Sequence, residues 1–119
     1  MSRRRENRGE AGLSAYRLMW MMVLFDLPVM TKKERKAATG FRKFLLDQGF
    51  EMAQYSVYMR FCAGKEQAES YTKRVERKVP STGKVHIVFL TDRQYETIIS
   101  FDGRLKEASR KNPSQYALF

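Results

Sequence analysis

Apolar and polar residues follow one another along the chain in blocks that predict an α+β domain. The first block, residues 18–28, is apolar at both odd and even positions and contains a single acid, Asp26. A strand that is apolar on both sides is typical of the middle of a sheet, and Pro28 cannot continue a central strand. The sequence therefore predicts a covered central strand that delivers Asp26 at its carboxyl end.

Two later blocks have helical periodicity. Thr31 followed by Glu34 matches the pattern of a capping box, and apolar residues then recur at helical spacing until Gly49, a typical helix stop. A second helix is predicted over residues 65–79, ended by Pro80. Lysines and arginines occupy the helix surfaces outside the two apolar stripes.

The remaining blocks predict strands. Residues 50–62 are rich in β-branched and aromatic residues, and a bend or bulge at 54–56 divides them into two strands. Residues 84–91 form a nearly all-apolar run of central-strand character. Residues 92–94 then turn the chain, and residues 95–101 predict a last, shorter strand.

This order of elements predicts the ferredoxin-like split βαβ fold (βαββαβ), α+β in class, with an additional C-terminal strand. We expect a flexible basic arm over residues 1–17, the ferredoxin-like domain over 18–101 and a polar C-terminal tail over 102–119. Because the edges of sheets pair with partners, the extra strand would serve subunit contacts. The residues expected there are Ile98, Ile99 and Phe101.

The charge of the chain narrows the class of its partner. Twenty-three Lys and Arg against 13 Asp and Glu give a net charge of +10, which favours nucleic acid first and a membrane surface second. One cysteine and one histidine are too few for a disulfide framework or a usual zinc site. The first apolar run is too short to span a bilayer and lacks a cleavage site, so we expect a cytoplasmic protein without membrane contact.

Basic side chains that would contact phosphate lie on both helices and on one strand. A basic helix face is often only solvated, but the shortage of acids here favours a surface facing phosphate. The candidates are Lys32, Lys33, Lys36, Arg42, Lys43, Arg60, Arg74, Arg77 and Lys78.

Asp26 is the candidate for catalysis and metal binding. An acid at the end of a strand often only satisfies turn amides, and one carboxylate seldom holds Mg²⁺ firmly. A symmetric dimer that brings two copies of Asp26 together would supply a pair and favour a divalent cation. Side chains at alternate positions of a strand lie on the same face. Three such positions are Ser56, Tyr58 and Arg60, which would line the face of Asp26 if their strand were the neighbour of the first strand. His86, inside an apolar strand, is interpreted as a core or interface residue rather than a general base.

Four segments resemble a family of small CRISPR-associated proteins, called Cas two (Cas2). They are Met22-Val23-Leu24-Phe25-Asp26-Leu27-Pro28, Phe41-Arg42-Lys43-Phe44-Leu45 leading to Gly49-Phe50, Gln54-Tyr55-Ser56-Val57-Tyr58, and Gly83-Lys84-Val85-His86-Ile87. The resemblance implies the ferredoxin-like fold and a homodimer. It also implies an integrase partner, "Cas one", two dimers of which flank one such dimer and hold a DNA duplex for insertion into a CRISPR array. Many family members are described as Mg²⁺-dependent endonucleases on RNA or DNA, with the acid that corresponds to Asp26 as metal ligand.

These observations lead to two hypotheses and one alternative. The first is a protein of CRISPR adaptation, an antiviral defence: a DNA-binding homodimer that scaffolds spacer integration with the integrase. The second, compatible with the first, is an endonuclease in which paired Asp26 carboxylates hold Mg²⁺ against double-stranded DNA or single-stranded RNA. The alternative is a stand-alone metal-dependent endoribonuclease or a toxin-type RNA-binding module of the same fold.

Overall fold

The computed structural model describes residues 19–103, in which four strands form one antiparallel sheet. The strands are β1 (Met19–Asp26), β2 (Glu51–Gln54), β3 (Val57–Cys62) and β4 (Lys84–Thr91), and the helices are α1 (Lys32–Asp47), α2 (Lys65–Lys78) and α3 (Asp92–Glu96). The order of strands across the sheet is β2-β3-β1-β4, with β1 antiparallel to both of its neighbours. The predicted βαββαβ core is thereby confirmed. The predicted basic arm, residues 1–17, and residues 104–119 of the tail lie outside the described residues.

One face of β1 forms the core of the domain. Every second side chain from Met19 to Phe25 is buried, because α1 and α2 cover this face with residues such as Phe41, Leu45 and Val75. Burial of an apolar side chain of this size contributes about 1.5–3 kcal/mol to folding. This helix-covered face therefore supplies much of the stability of the domain.

The other side of the sheet, called the open face below, is covered less completely. Trp20, Met22 and Leu24 of β1 are only half-buried there, and Asp26 is exposed. The prediction of a central strand is correct, since β1 lies between β3 and β4. The prediction that both of its faces are covered holds within this chain for the helix-covered face only.

Local sequence explains where α1 begins and ends. The Thr31 side chain accepts a hydrogen bond from the Glu34 N–H, and the Glu34 carboxylate accepts one from the Thr31 N–H, each at 3.0 Å. At the other end, the Phe50 N–H donates to the Leu45 carbonyl at 3.0 Å, and Gly49 has φ 89°. This is a Schellman motif, which favours glycine because a Cβ is strained at positive φ.

The strand β4 lies at an edge of the sheet, although its sequence has central-strand character. Val88 is 42% exposed and Phe89 is 38% exposed. His86 is exposed as well, so its interpretation as a core residue is wrong for the single chain, and its interpretation as an interface residue stays a prediction. An apolar run favours a central strand, but within the described residues the run over residues 84–91 has a neighbouring strand, β1, on one side only.

The predicted turn at 92–94 and strand over 95–101 are wrong. The helix α3 occupies Asp92–Glu96, and residues 97–101 are not part of a strand. The reason is a second capping box, in which the Thr91 side chain accepts a hydrogen bond from the Gln94 N–H at 3.0 Å. This capping starts a helical turn despite the β-branched and aromatic residues that follow.

The division of residues 50–62 is confirmed. β2 and β3 form an antiparallel hairpin, with a register shift between Met52 and Gln54. Among residues 19–103, none of the helices combines the length and hydropathy needed to cross a bilayer.

Candidate nucleic-acid interface and acidic site

The acid predicted to bind metal lies at the rim of the open face. Asp26 is the last residue of β1 and pairs with Lys84 of β4. His86 pairs with Leu24, two residues earlier on β1. Because directly paired residues share a face and side chains alternate along a strand, Asp26, Lys84 and His86 all lie on the open face. An exposed carboxylate thus lies next to a cation and near an imidazole.

Gly83 allows β4 to start close to the end of β1. Its φ is 94°, and a Cβ at this position would lie 2.8 Å from the Asp26 carbonyl oxygen and 3.0 Å from Cδ of Pro28. Only glycine combines this φ with such a close approach. The position of Asp26 therefore depends on Gly83, a residue that the sequence marks only as an isolated glycine before a strand.

The described chain offers one carboxylate for a metal ion rather than a complete set of ligands. Within residues 19–103, no three His, Cys, Asp or Glu side chains are grouped so that they could hold a metal. Mg²⁺ commonly binds through one or two carboxylates together with water and phosphate oxygens. Asp26 therefore fits a Mg²⁺ ion that a second copy of the chain, or a bound phosphate, helps to hold.

The side chains of Tyr58 and Arg60 do not line the face of the acid, contrary to the prediction. They pair with Val23 and Met21, both of which are buried in the core, and so they lie on the helix-covered face. Ser56 lies in the turn that precedes β3. The two strands are neighbours, as the prediction required, but the register gives these residues the opposite parity.

Two of the predicted phosphate ligands are stacked on aromatic rings. The guanidinium carbon of Arg42 lies 4.1 Å from the ring centroid of Tyr55 and 5.6 Å from that of Phe25. The guanidinium carbon of Arg60 lies 4.0 Å from the ring centroid of Tyr71. The Nε atom of each arginine is buried and has no hydrogen-bond partner in the described part of the chain. Cation–π contacts hold both side chains in place.

Two further cations line the groove between α1 and α2. The guanidinium carbon of Arg74 lies 4.5 Å from the ring centroid of Tyr71, and Nη1 of Arg74 donates to Oε1 of Gln48 at 3.0 Å. One turn later, Nζ of Lys78 lies 6.0 Å from the ring centroid of Phe44. The remaining predicted phosphate ligands are exposed on the two helices: Lys32, Lys33, Lys36, Lys43 and Arg77. The cations therefore lie with the helices, and their contact with nucleic acid stays a prediction.

An aromatic cluster that the sequence did not predict packs α3 against the open face. The Trp20 indole N–H donates to Oδ1 of Asp92 at 3.0 Å, and its ring stacks on Tyr95 with the centroids 4.1 Å apart. Phe61 meets the indole edge to face at 5.2 Å. Burial raises the pKa of the Tyr95 phenol, and the carboxylates of Glu51 and Asp92 add to this rise.

The residues expected at a subunit contact follow α3. Ile98 is half-buried and lines a groove of the open face together with Met22 and Leu24. Ile99 is 79% exposed and Phe101 is 67% exposed. Large exposed apolar side chains thus follow α3, and their role in a dimer stays a prediction.

Cys62 has no role as a nucleophile in this arrangement. The residue is fully buried under the helices. Burial raises the pKa of its thiol, and the nearby Arg60 guanidinium opposes this rise only in part. Since the thiolate is the reactive form, Cys62 serves as a small apolar core residue.

Comparison with known proteins agrees with the fold and the motifs. The family described as "CRISPR associated protein Cas2" matches residues 19–98. A protein of Paracidovorax avenae named "CRISPR-associated endoribonuclease Cas2" is 57% identical over 107 residues, covering 90% of this chain and 99% of the relative. A protein of the same name from Flavobacterium psychrophilum is 46% identical over 107 residues, covering 90% and 93%.

A solved structure supports the fold independently. It is described as a crystal structure of Cas2 and matches with a TM-score of 0.51 and 19% identity, covering 74% of this chain and 92% of the other. At this identity the match shows the fold alone. Together with the family match and the close relatives, it leads to one conclusion: the chain belongs to the Cas2 family of CRISPR-associated proteins.

Proposed function

We propose that this chain acts in CRISPR adaptation as a homodimer that binds duplex DNA and scaffolds spacer integration with an integrase partner. The observation that carries the proposal is the contrast between the two sides of the domain. One side presents an apolar surface edged by Asp26, and the opposite side presents two basic helices. The apolar side suits a second copy of the chain, and the basic side suits a polyanion.

The open face supports self-association. Phe61 and Val88 are 39% and 42% exposed there, and Ile98 lines a groove of the same face with Met22 and Leu24. Soluble proteins seldom leave a contiguous apolar surface uncovered, and a two-fold axis lets one surface cover its own copy. A two-fold axis near the carboxyl end of β1 would bring two Asp26 carboxylates together.

The helical layer supports binding to a nucleic-acid backbone. A dimer would carry twice the +10 of one chain, and the exposed lysines of α1 and α2 would follow phosphates along a duplex. Binding through phosphates releases counterions, so it weakens steeply with salt. It carries little information about base sequence, which suits a protein that holds DNA of any sequence.

A second candidate function, compatible with the first, is Mg²⁺-dependent endonuclease activity. The specific observation is the exposed Asp26 with Lys84 paired to it, and both curated relatives named above are called endoribonucleases. Asp26 from each subunit would hold the ion, and Lys84 would bind the scissile phosphate. Bound Mg²⁺ supplies an activated water and stabilises negative charge on the phosphate. Single-stranded RNA and duplex DNA are both candidate substrates.

One experiment separates the two functions. Labelled duplex DNA and single-stranded RNA are incubated with wild type and Asp26→Asn, with Mg²⁺ or with EDTA, and duplex binding is measured in the same samples. A scaffold alone predicts equal, salt-sensitive duplex binding by both proteins and no cleavage. A nuclease predicts Mg²⁺-dependent cleavage that Asp26→Asn abolishes while binding persists. Absence of duplex binding by wild type would refute the scaffold proposal.

The integrase partnership has its own test. Wild type and the triple variant Lys32→Ala/Lys33→Ala/Lys36→Ala are compared in integration assays with the integrase that accompanies this chain. We expect the variant to lose integration as well as duplex binding, because it removes three cations from α1. Full integration by the variant would show that α1 does not face the DNA.

A further inference from the structure

We infer that Arg60 and Arg74, both stacked on the ring of Tyr71, form a binding site for a nucleic-acid phosphate at the carboxyl end of α1. This inference rests on the proposed nucleic-acid binding and deepens it. It assigns one phosphate contact to Arg60, Tyr71 and Arg74. These residues lie in the groove between α1 and α2, on the opposite side of the sheet from Asp26.

The ring of Tyr71 organises the two guanidinium groups in advance. Their carbons lie 4.0 and 4.5 Å from its centroid, so both cations are held by one aromatic side chain. Tyr71 is itself half-buried and packs against the core, with the ring of Phe50 at 6.3 Å. An arginine fixed in this way loses less conformational freedom when it binds an anion.

The turn at the end of α1 leaves room for Arg60. A Cβ added to Gly49 would collide with Nη1 of Arg60. Gly49 thus serves two purposes: its φ of 89° closes the Schellman motif, and its missing side chain makes space for a guanidinium. The guanidinium group of Arg60 therefore lies where the end of α1 meets the start of β2.

Within residues 19–103, the two guanidinium groups contact neutral side chains. The hydrogen bond of Arg74 goes to the neutral amide of Gln48, and Nε of Arg60 has no hydrogen-bond partner there. One turn before and after Arg74 on α2, the side chains are those of Ser70, Tyr71, Arg77 and Lys78, none of which is acidic. Binding an anion would relieve the repulsion between these cations.

The chemistry of the site favours a phosphodiester. Guanidinium groups are planar donors that match the oxygens of a phosphate. Lys78 lies one turn beyond Arg74 in the same groove, so it would contact an adjacent phosphate. No part of this arrangement reads bases. A backbone phosphate is thus a better match than a free nucleotide, because none of these three cations is placed to recognise a base.

The test compares Arg74→Ala with Arg93→Ala, a matched control that removes the same charge from α3. Affinity for a duplex DNA is measured over a range of salt concentrations. We expect Arg74→Ala to weaken binding by on the order of tenfold and to lower the slope of log K against log salt by about 0.9, the value for one phosphate contact. Arg93→Ala should leave the slope unchanged. Equal slopes for Arg74→Ala and wild type would overturn the site, even if Arg74→Ala lowered the melting temperature.

The platform itself is tested by Tyr71→Leu against Tyr71→Phe, which keeps the ring. Only Tyr71→Leu should lower the duplex affinity and the salt slope as Arg74→Ala does. Circular dichroism of both variants checks that they are folded. Equal binding by the two variants would overturn the role of the ring.

The outcomes for wild type separate the two proposals. Duplex binding by wild type that Arg60→Ala, Arg74→Ala and Tyr71→Leu leave intact refutes this site and spares the proposed function. No binding by wild type refutes both. Competition by inorganic phosphate or a mononucleotide at concentrations as low as those of the duplex would assign the site to a free ligand and overturn the backbone assignment.

Discussion

The two sides of β1 carry side chains of similar hydrophobicity, but they have different surroundings. On one side, α1 and α2 seal the core completely, so that Met21, Val23 and Leu45 have no exposed surface. On the other side, Met22 and Leu24 remain half-buried, and an acid follows them at the rim. One side of this strand therefore serves folding, whereas the other side carries the surface that we propose for association and chemistry.

The largest effect is expected from breaking the helix-covered face. Leu45→Ala removes a fully buried side chain and should lower the free energy of unfolding by about 2–5 kcal/mol. Its neighbour Leu46 is 52% exposed, so Leu46→Ala should cost less than about 1 kcal/mol. Urea denaturation of both variants measures the contrast. Similar losses for the two would contradict the assignment of this face as the core.

The next effect concerns the open face. Val88 and Phe89 are adjacent on β4 and similarly exposed, but they lie on opposite faces of the sheet. Val88→Lys places an unpaired charge in the proposed dimer interface. We expect it to raise the dimer dissociation constant by on the order of a hundredfold, with little change for Phe89→Lys. Light scattering across a concentration series measures this. A dimer that tolerates Val88→Lys would place the interface elsewhere.

A smaller effect is expected at the rim that joins the two faces. Gly83→Ala combines a positive φ with a Cβ that meets the Asp26 carbonyl oxygen, and it should destabilise the domain by about 1–3 kcal/mol. Gly40, in the middle of α1, has open space around it, so Gly40→Ala should stabilise by about 0.5–1 kcal/mol. Thermal unfolding compares the two. Stabilisation by Gly83→Ala would show that β4 does not need this glycine.

The smallest effect is a dependence on alkaline pH at the aromatic cluster. Because burial raises the folded-state pKa of Tyr95, the neutral phenol contributes stability that is fully present below the unfolded pKa of about 10. This stability is lost as the pH rises from there through the folded-state pKa. Tyr95→Phe cannot ionise, so its stability should fall less steeply above that pH. Parallel curves for the two proteins would argue against burial of the phenol.

Several features of the candidate site were predictable from the sequence for identifiable reasons. The abrupt end of an apolar run located Asp26, and the capping box of α1 and the stop at Gly49 were both visible in residue types. By contrast, whether Arg60 and Asp26 lie on the same face of the sheet depends on the register of β3 against β1. A shift of one residue would move every side chain to the other face, so the face of Arg60 could be assigned only once the structure showed which side of β3 the helices cover.

Other features required contacts between residues that are distant in the chain. The stacking of Arg60 and Arg74 on Tyr71 depends on how α2 crosses β3, and the Trp20–Asp92 hydrogen bond joins residues that are 72 positions apart. The helix α3 is an intermediate case. Its capping box, Thr91 with Gln94, was visible in the sequence, but the β-branched residues after it favoured a strand.

The elements of the βαββαβ core, their order and therefore the fold class follow from the sequence alone, because periodicity, caps and turn residues act within a few positions of one another. The sequence also determined the net positive charge and the acid at the end of β1. By contrast, the sealed face of β1, the edge position of β4 and the aromatic ring shared by two arginines emerge only in the folded domain. These outcomes depend on strand register and helix packing, which arise from the summed contacts of the whole domain rather than from any local segment.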